Sequence, residues 1–307
     1  MSDKTTEPLA SQTKQATTLK SHIARHGFVQ IPPLHTSADI KLFNQAFDDI
    51  FASQKSPRRY VDSAQMLKAG VFEQLFNPQL QQLIYAMQND AVLYHCHAYE
   101  IDANQTKPHI LADNLADGWH RDWDCPLDLT LDSDVQQISL FVYLTDVGDN
   151  DGGFEICDKA FTPLPNRLNN ANFYQIQGTK GHTFMFNRIA YHRASPNLSS
   201  TARRVIKLSF QAKTDFNSRI KLEQFEYLRQ HLPQQQVFLR QLAGDNNIDV
   251  AQTTAFMTQL TDSFIIEHLP NPTPIKINLS FAQQWHTYLR QLRYYINLKR
   301  GRVYQGY

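Results

Sequence analysis

The feature that most constrains the fold is a run of short strand-like segments between residues 91 and 212. Apolar and polar residues alternate in several of these segments, which is typical of strands with one buried face. Turn-forming residues, chiefly Gly, Pro, Asn and Asp, separate them. Many short strands joined by turns indicate a sandwich or a closed double sheet. The predicted strands of this run are 91–101, 136–147, 154–157, 173–177, 183–186 and 203–212.

Helical patterns flank this run on both sides, so the predicted class is mainly β with helices (α+β). On the N-terminal side the sequence predicts helices at 19–26, 38–52 and 78–88, a strand at 28–31, and irregular structure over 53–75. Ser37 is the predicted N-cap of the helix at 38–52. Apolar residues recur at helical period after residue 214. We therefore expect a disordered segment over 1–17, a β domain over 18–214, and a helical extension over 215–307 that packs on it.

Composition restricts the class of protein further. The formal net charge of +1 gives no overall attraction to nucleic acid or to a membrane surface. Three cysteines without a CxxC spacing argue against a disulfide framework or a zinc–cysteine site. The polar first residues contain no secretory signal, and no apolar run is long enough to cross a membrane. These observations predict a soluble, cytoplasmic protein.

The stretch Trp119–Asp124 contains a candidate metal site. His120 and Asp122 are two residues apart, so in a strand their side chains point to the same face. A second imidazole from a distant strand would complete a three-ligand set, and His192 is the candidate. Two histidines and one carboxylate on one side of a metal suit non-haem Fe(II) oxygenases.

Several stretches resemble the phytanoyl-CoA hydroxylase family of Fe(II)- and 2-oxoglutarate-dependent dioxygenases, from about residue 19 to 211. They are HGFVQIP at 26–32, FVYLTDV at 141–147, NDGGFEI at 150–156, KGHTFMFNRIAYH at 180–192 and NLSSTARRVIKLSF at 197–210. The resemblance implies a double-stranded β-helix of the jelly-roll or cupin type. It also implies Fe(II) bound by His120, Asp122 and His192, with 2-oxoglutarate and O2 as cosubstrates.

The resemblance also implies how 2-oxoglutarate is bound. The family has an arginine eleven residues after the distal histidine, and here that residue is Arg203. Arginine suits the far carboxylate because it offers a bidentate fork and keeps its charge. Arg204 is the alternative, since a β-bulge would exchange the two. The family often places an aromatic residue near the cosubstrate at the position of Phe141, and Ser139 and Tyr143 share its face.

The substrate side is less constrained. Arg121, Trp123 and Arg188 are candidate substrate contacts, with wall packing the alternative for Trp123 and a structural ion pair for Arg188. The intact Asp122 favours hydroxylation of an unactivated C–H bond of a small molecule, such as an amino acid or a natural-product intermediate, with release of succinate and CO2.

Desaturation or cyclisation by the same iron is the alternative within the enzyme class. A non-catalytic jelly-roll binding protein is the alternative from another class. The basic, acid-free stretch 268–307 could form a homodimer surface or bind an acidic partner, and a nucleic-acid substrate is not expected.

Overall fold

The computed structural model describes residues 19–88, 91–107, 118–120, 122, 137–160, 171–212, 272–276, 281, 282, 285, 288, 289, 292 and 296. Within these residues no helix has the length and apolar character needed to cross a membrane. The predicted disorder of 1–17, most of the predicted helical extension, and the candidate residues Arg121 and Trp123 lie outside the described residues.

Helices dominate the first part of the chain. Helix α1 covers 19–26 and ends at Gly27, whose φ of +80° lies in the left-handed region that glycine adopts without strain. Thr36 caps helix α2, one residue before the residue predicted for that role, because Thr36 and Asp39 satisfy each other's backbone N–H groups. The remaining helices are α2 (Ser37–Ala52), α3 (Ser63–Lys68), α4 (Phe72–Leu75) and α5 (Pro78–Met87).

Within the residues that the structure describes, nine strands form two antiparallel sheets. The larger sheet has six strands in the order β1-β7-β4-β9-β3-β2, and the smaller has the order β6-β5-β8. The non-sequential order means that the chain crosses repeatedly between the two sheets, as a jelly roll requires. The strands are β1 (Phe28–Ile31), β2 (Arg58–Asp62), β3 (Ala91–Ile101), β4 (Gln137–Tyr143), β5 (Phe154–Ala160), β6 (Phe173–Ile176), β7 (Thr183–Asn187), β8 (Ala190–Ala194) and β9 (Arg203–Ala212).

The central strands of the larger sheet, such as β4 and β7, are buried on both faces, so the sheet separates two cores. One face packs against the helices through residues such as Leu140 and Leu208. The alternate residues of the same strands, such as Phe141 and Val205, face the smaller sheet and contact a second core that includes Phe154. Two facing sheets around an interior confirm the predicted double-stranded β-helix, and the candidate site lies in that interior.

Three local predictions were wrong. The stretch 53–75 was expected to be irregular, yet it holds β2, α3 and α4; β2 escaped detection because only Val61 of its five residues is buried. Strand β8 was not predicted at all. Strand β4 stops at Tyr143, because the chain turns after it before Val147 pairs with Gly178.

The C-terminal stretch is described only in part. Ile275 pairs with Phe173 of β6 through a backbone N–H···O bond of 2.6 Å. Four large apolar residues among the described helical residues further on are exposed: Phe281, Trp285, Leu289 and Ile296.

Candidate metal centre

Backbone pairing brings the two candidate histidines together. His120 donates its N–H to the carbonyl of His192 at 3.0 Å, and His192 donates back at 2.8 Å. Residues that exchange both bonds in an antiparallel pair project to the same face. Their rings accordingly lie 4.4 Å apart between centroids. The pairing of His120 with His192 of β8 is an isolated antiparallel bridge.

Asp122 lies beside the two histidines, as its two-residue separation from His120 predicts. Its backbone N–H donates to the carbonyl of Arg188 at 3.3 Å, which continues the contact with the β7–β8 region. One ligand atom from each of His120, Asp122 and His192 lies within 4.8 Å of the others. The nearest carboxylate oxygen, Oδ1 of Asp122, is 3.7 Å from Nε2 of His192. Three protein donors of this kind are suited to Fe(II) with open coordination positions.

The hydrogen bonds of both histidines fix which nitrogen faces the cluster. Nδ1 of His120 is 2.8 Å from the carbonyl of Gly118, and Nδ1 of His192 is 2.9 Å from the carbonyl of Ala190. A carbonyl only accepts, so each Nδ1 carries the hydrogen and each Nε2 keeps a lone pair for a metal. Burial lowers the pKa of His120 and lowers that of His192 to about 3, which favours the neutral, metal-binding form.

Two cations hold the second carboxylate oxygen of Asp122. Nε of Arg188 donates to Oδ2 at 2.8 Å, and Nζ of Lys207 donates to the same oxygen at 3.2 Å. Burial would raise the pKa of Asp122, but Lys207 and Arg188 outweigh it and hold that pKa well below its ordinary value. The carboxylate is therefore ionised, with Oδ2 held by cations and Oδ1 directed at His192.

Arg203 is buried in the interior with its charge largely unmatched. Its side chain is only 1% exposed and lies against the ring faces of Tyr99 and Tyr143, at 5.6 and 5.3 Å from the ring centroids. One nitrogen, Nη2, donates to the hydroxyl of Tyr99 at 3.3 Å. Nε and Nη1 have no hydrogen-bond partner among the described residues. Such a group offers a carboxylate N–H donors and an unmatched positive charge.

Arg204, the alternative anchor, faces the other side of the sheet. It forms ion pairs with the buried Glu100 and, at 2.5 Å, with Asp48 of α2. The register is regular here, with Arg203 opposite Ile101 and Arg204 opposite Glu100. The bulge that would exchange the two arginines is therefore absent at this point of β9.

The three residues predicted on β4 all lie on the interior face. Phe141 contacts the ring of Phe186 edge-on, with centroids 5.3 Å apart. The hydroxyl of Ser139 is hydrogen-bonded to that of Ser209 at 2.8 Å. The hydroxyl of Tyr143 donates to the carbonyl of Ile176 at 2.8 Å, so it is the Tyr143 ring that faces Arg203.

Sequence reasoning gave no role to two residues that lie in this site. Tyr99 forms one wall of the Arg203 pocket, and Lys207 contacts the candidate ligand Asp122. A signal for Lys207 was present, because it has the same parity as Arg203 on β9. Parity alone did not show that its ammonium reaches the metal ligands.

Comparisons with known proteins agree with the fold. No family model matches the chain, and no curated protein matches it. Among solved structures, the chain is similar to the non-haem α-ketoglutarate-dependent epimerase SnoN from nogalamycin biosynthesis. The TM-score is 0.52 and the identity 15%, over 66% of this chain and 82% of SnoN.

Two further solved structures are similar to the chain at comparable TM-scores and identities. The carbocyclase SnoK from the same biosynthesis gives a TM-score of 0.50 and 14% identity, over 64% of this chain and 83% of its own. EctD from S. alaskensis with bound Fe gives 0.53 and 12%, over 71% of this chain and 82% of its own. At these identities the likeness establishes the double-stranded β-helix fold, and the resemblance to phytanoyl-CoA hydroxylases stays a prediction.

Proposed function

We propose that this protein is an Fe(II)- and 2-oxoglutarate-dependent oxygenase that hydroxylates an unactivated C–H bond of a small molecule. The observation that carries the proposal is the cluster of His120, Asp122 and His192, whose ligand atoms lie within 4.8 Å of one another in the interior of the fold. Both imidazoles direct Nε2 inward, and the carboxylate is ionised. This donor set fits Fe(II).

Arg203 supports 2-oxoglutarate as the cosubstrate. Its Nε and Nη1 are buried without a partner among the described residues, and a carboxylate would supply an acceptor and a matching charge. Lys207, which touches Asp122, lies four residues from Arg203 on the same face, about 13 Å along the strand. A dicarboxylate and the arginine side chain together can cover that distance. We assign the far carboxylate of 2-oxoglutarate to Arg203. The two other donor groups of 2-oxoglutarate are assigned to the metal.

When bound, iron and 2-oxoglutarate would supply the oxidising power, with succinate and CO2 as co-products. The chain's own residues bind and orient the reactants. Phe141, Phe154 and Phe186 pack against one another around His192 and exclude water from this side of the cluster. Burial raises the pKa of Tyr99 and of Tyr143, so both phenols are neutral. They lie beside the Arg203 guanidinium without neutralising its charge.

The same cluster also suits a second outcome, desaturation or ring closure, and the carbocyclase SnoK is an example on this fold. We retain desaturation or ring closure as the alternative. The cytoplasmic location, Phe141 and Ser139 as cosubstrate contacts, and Arg188 as a substrate contact stay predictions. The same holds for the partner of the basic C-terminal stretch.

The first experiment is an anaerobic titration. Fe(II) and then 2-oxoglutarate are added to the purified apoprotein, and the visible charge-transfer band of the bidentate keto-acid complex is followed. We expect the band with the wild type. We expect none with His192→Ala, because the metal loses one of three ligands.

His35→Gln is the matched control. His35 is also buried, but it packs against Phe43 on the helical side of the larger sheet and is not one of the candidate metal ligands. We expect this variant to form the band as the wild type does. Absence of the band in the wild type at saturating 2-oxoglutarate would refute the cosubstrate assignment and favour the non-catalytic binding protein.

A further inference from the structure

We propose that the substrate carries a compact oxyanion, a carboxylate or sulfonate, and that Lys207 binds it. This inference rests on the proposed function, because it takes the cluster of His120, Asp122 and His192 as the place of reaction. It names the class of substrate and one residue that selects it.

Lys207 is placed at the edge of the metal ligands. It lies on the interior face of β9, opposite Phe141 of β4 and His97 of β3 in the strand register. Its ammonium is 5.7 Å from the ring centroid of Phe141 and 5.8 Å from that of Phe186. The two rings confine the side chain and aim its charge toward Asp122, 3.2 Å from Oδ2.

Asp122 has a better partner than Lys207. Nε of Arg188 is closer to Oδ2, at 2.8 Å, and the Arg188 side chain is 4% exposed whereas that of Lys207 is 14% exposed. The ammonium has three donors, and its one hydrogen bond among the described residues is the longer of the two on Oδ2. A metal on Oδ1 would further reduce the charge that Asp122 offers to Lys207. The lysine therefore has donors for a second anion.

The charges around the cluster favour such an anion. Among the described residues, Arg188 and Lys207 contact one carboxylate, Asp122, and Arg203 is buried in the same interior. Arg193, which is nearby on β8, is already paired with Glu155 at 2.6 Å. Fe(II) and the 2-oxoglutarate dianion cancel each other's charge, so they leave the excess of positive charge as it is. Buried charge without a partner is unfavourable, and an anionic group on the substrate would reduce the excess.

The keto acid does not account for this lysine. Its far carboxylate is assigned to Arg203, and its two other donor groups to the metal. Lys207 lies four residues from Arg203 on the strand and next to a metal ligand, where the substrate must be held for reaction. The anion that Lys207 binds is therefore assigned to the substrate.

The test uses a minimal anion, 1-propanesulfonate, because sulfonates are weak metal ligands. Its neutral counterpart is 1-propanesulfonamide. Binding to the anaerobic Fe(II)·2-oxoglutarate complex is measured by ligand-observed NMR, and the charge-transfer band is recorded on the same samples. We expect saturable binding of the sulfonate to the wild type and none of the sulfonamide. We expect at least tenfold weaker sulfonate binding to Lys207→Met and recovery in Lys207→Arg.

Lys180→Met is the control, because Lys180 is an exposed lysine on the β6–β7 turn and lies outside the site. It should bind the sulfonate as the wild type does. The proposal is overturned if Lys207→Met binds the sulfonate as tightly as the wild type does. It is also overturned if the wild type forms the band but does not bind the sulfonate. Loss of the band in Lys207→Met would assign the lysine to the metal or the keto acid instead. Absence of the band in the wild type would refute the proposed function, whatever the sulfonate result.

Discussion

Replacing Arg203 by methionine should make the apoprotein more stable while it removes 2-oxoglutarate binding. The guanidinium is 1% exposed, and two of its nitrogens have no partner among the described residues. A buried charge that no carboxylate matches lowers the stability of the folded state. Methionine has a similar length and no charge, so it can fill the space between Tyr99 and Tyr143 without that penalty.

The magnitude follows from the contacts. Each buried donor without a partner costs about 1–3 kcal/mol, so Nε and Nη1 together cost about 2–6 kcal/mol. The contacts with the two tyrosine rings and the bond to the Tyr99 hydroxyl offset part of this, by about 1 kcal/mol each. We expect the free energy of unfolding of Arg203→Met to exceed that of the wild type by up to about 3 kcal/mol.

Urea unfolding, with a chelator and without 2-oxoglutarate, measures this difference. Adding Fe(II) and 2-oxoglutarate at a hundred times its Kd should stabilise the wild type by about 2.7 kcal/mol. The variant should gain less than about 1 kcal/mol from the keto acid at that concentration. Loss of one partner of a buried charge pair costs about 2–5 kcal/mol, so keto-acid affinity should fall at least about thirtyfold.

Arg204→Met is the control, since it removes the same charge from the neighbouring residue on the opposite face. Arg204 pairs with Glu100 and Asp48, so its loss should lower the free energy of unfolding by about 1–3 kcal/mol and leave keto-acid affinity as it is. A less stable apoprotein for Arg203→Met, together with unchanged keto-acid affinity, would refute the reasoning about this pocket.

Three further changes test other parts of the structure. Ser139→Ala should lower the free energy of unfolding by about 1–3 kcal/mol, because the fully buried hydroxyl of Ser209 loses its partner. A double-mutant cycle with Ser209→Ala, measured by urea unfolding, should show coupling between the two residues, and additive effects would contradict the pairing. Burial lowers the pKa of His35 below its ordinary 6.5, so the unfolded chain takes up the proton first and stability falls as pH drops below 6.5. His35→Gln should lose less stability between pH 7 and pH 5 than the wild type, by up to about 1.4 kcal/mol per pH unit, and equal slopes in urea unfolding would disprove this. Gly118→Ala should weaken Fe(II) binding about 10–100-fold, because alanine is strained at φ +82° and the carbonyl of residue 118 orients His120. Gly70→Ala is the control, because Gly70 has a φ of +72° but no neighbouring atom close to an added Cβ. This control should have the backbone strain alone and bind Fe(II) as the wild type does.

Local patterns predicted much of the fold. Strands β3 and β9 were predicted with the bounds they have, because their alternation is long and regular. Strand β2 was not, because it is an edge strand with one buried residue, and such a strand has no apolar period to detect. The cap of α2 was misplaced by one residue, because Thr36 and Ser37 are both suitable cap residues and only the contact with Asp39 selects between them.

The sequence by itself determined the candidate ligands and the class of fold. The two-residue spacing of His120 and Asp122 places both side chains on one face of an extended chain, and this needs no tertiary information. Tertiary structure decided what surrounds them. The pairing of His120 with His192 joins residues 72 positions apart in the chain, and the register between β3 and β9 puts Arg203 and Arg204 on opposite faces of the sheet. The contact of Lys207 with Asp122 also depends on how the two sheets pack around one interior. A local sequence pattern does not predict such long-range packing.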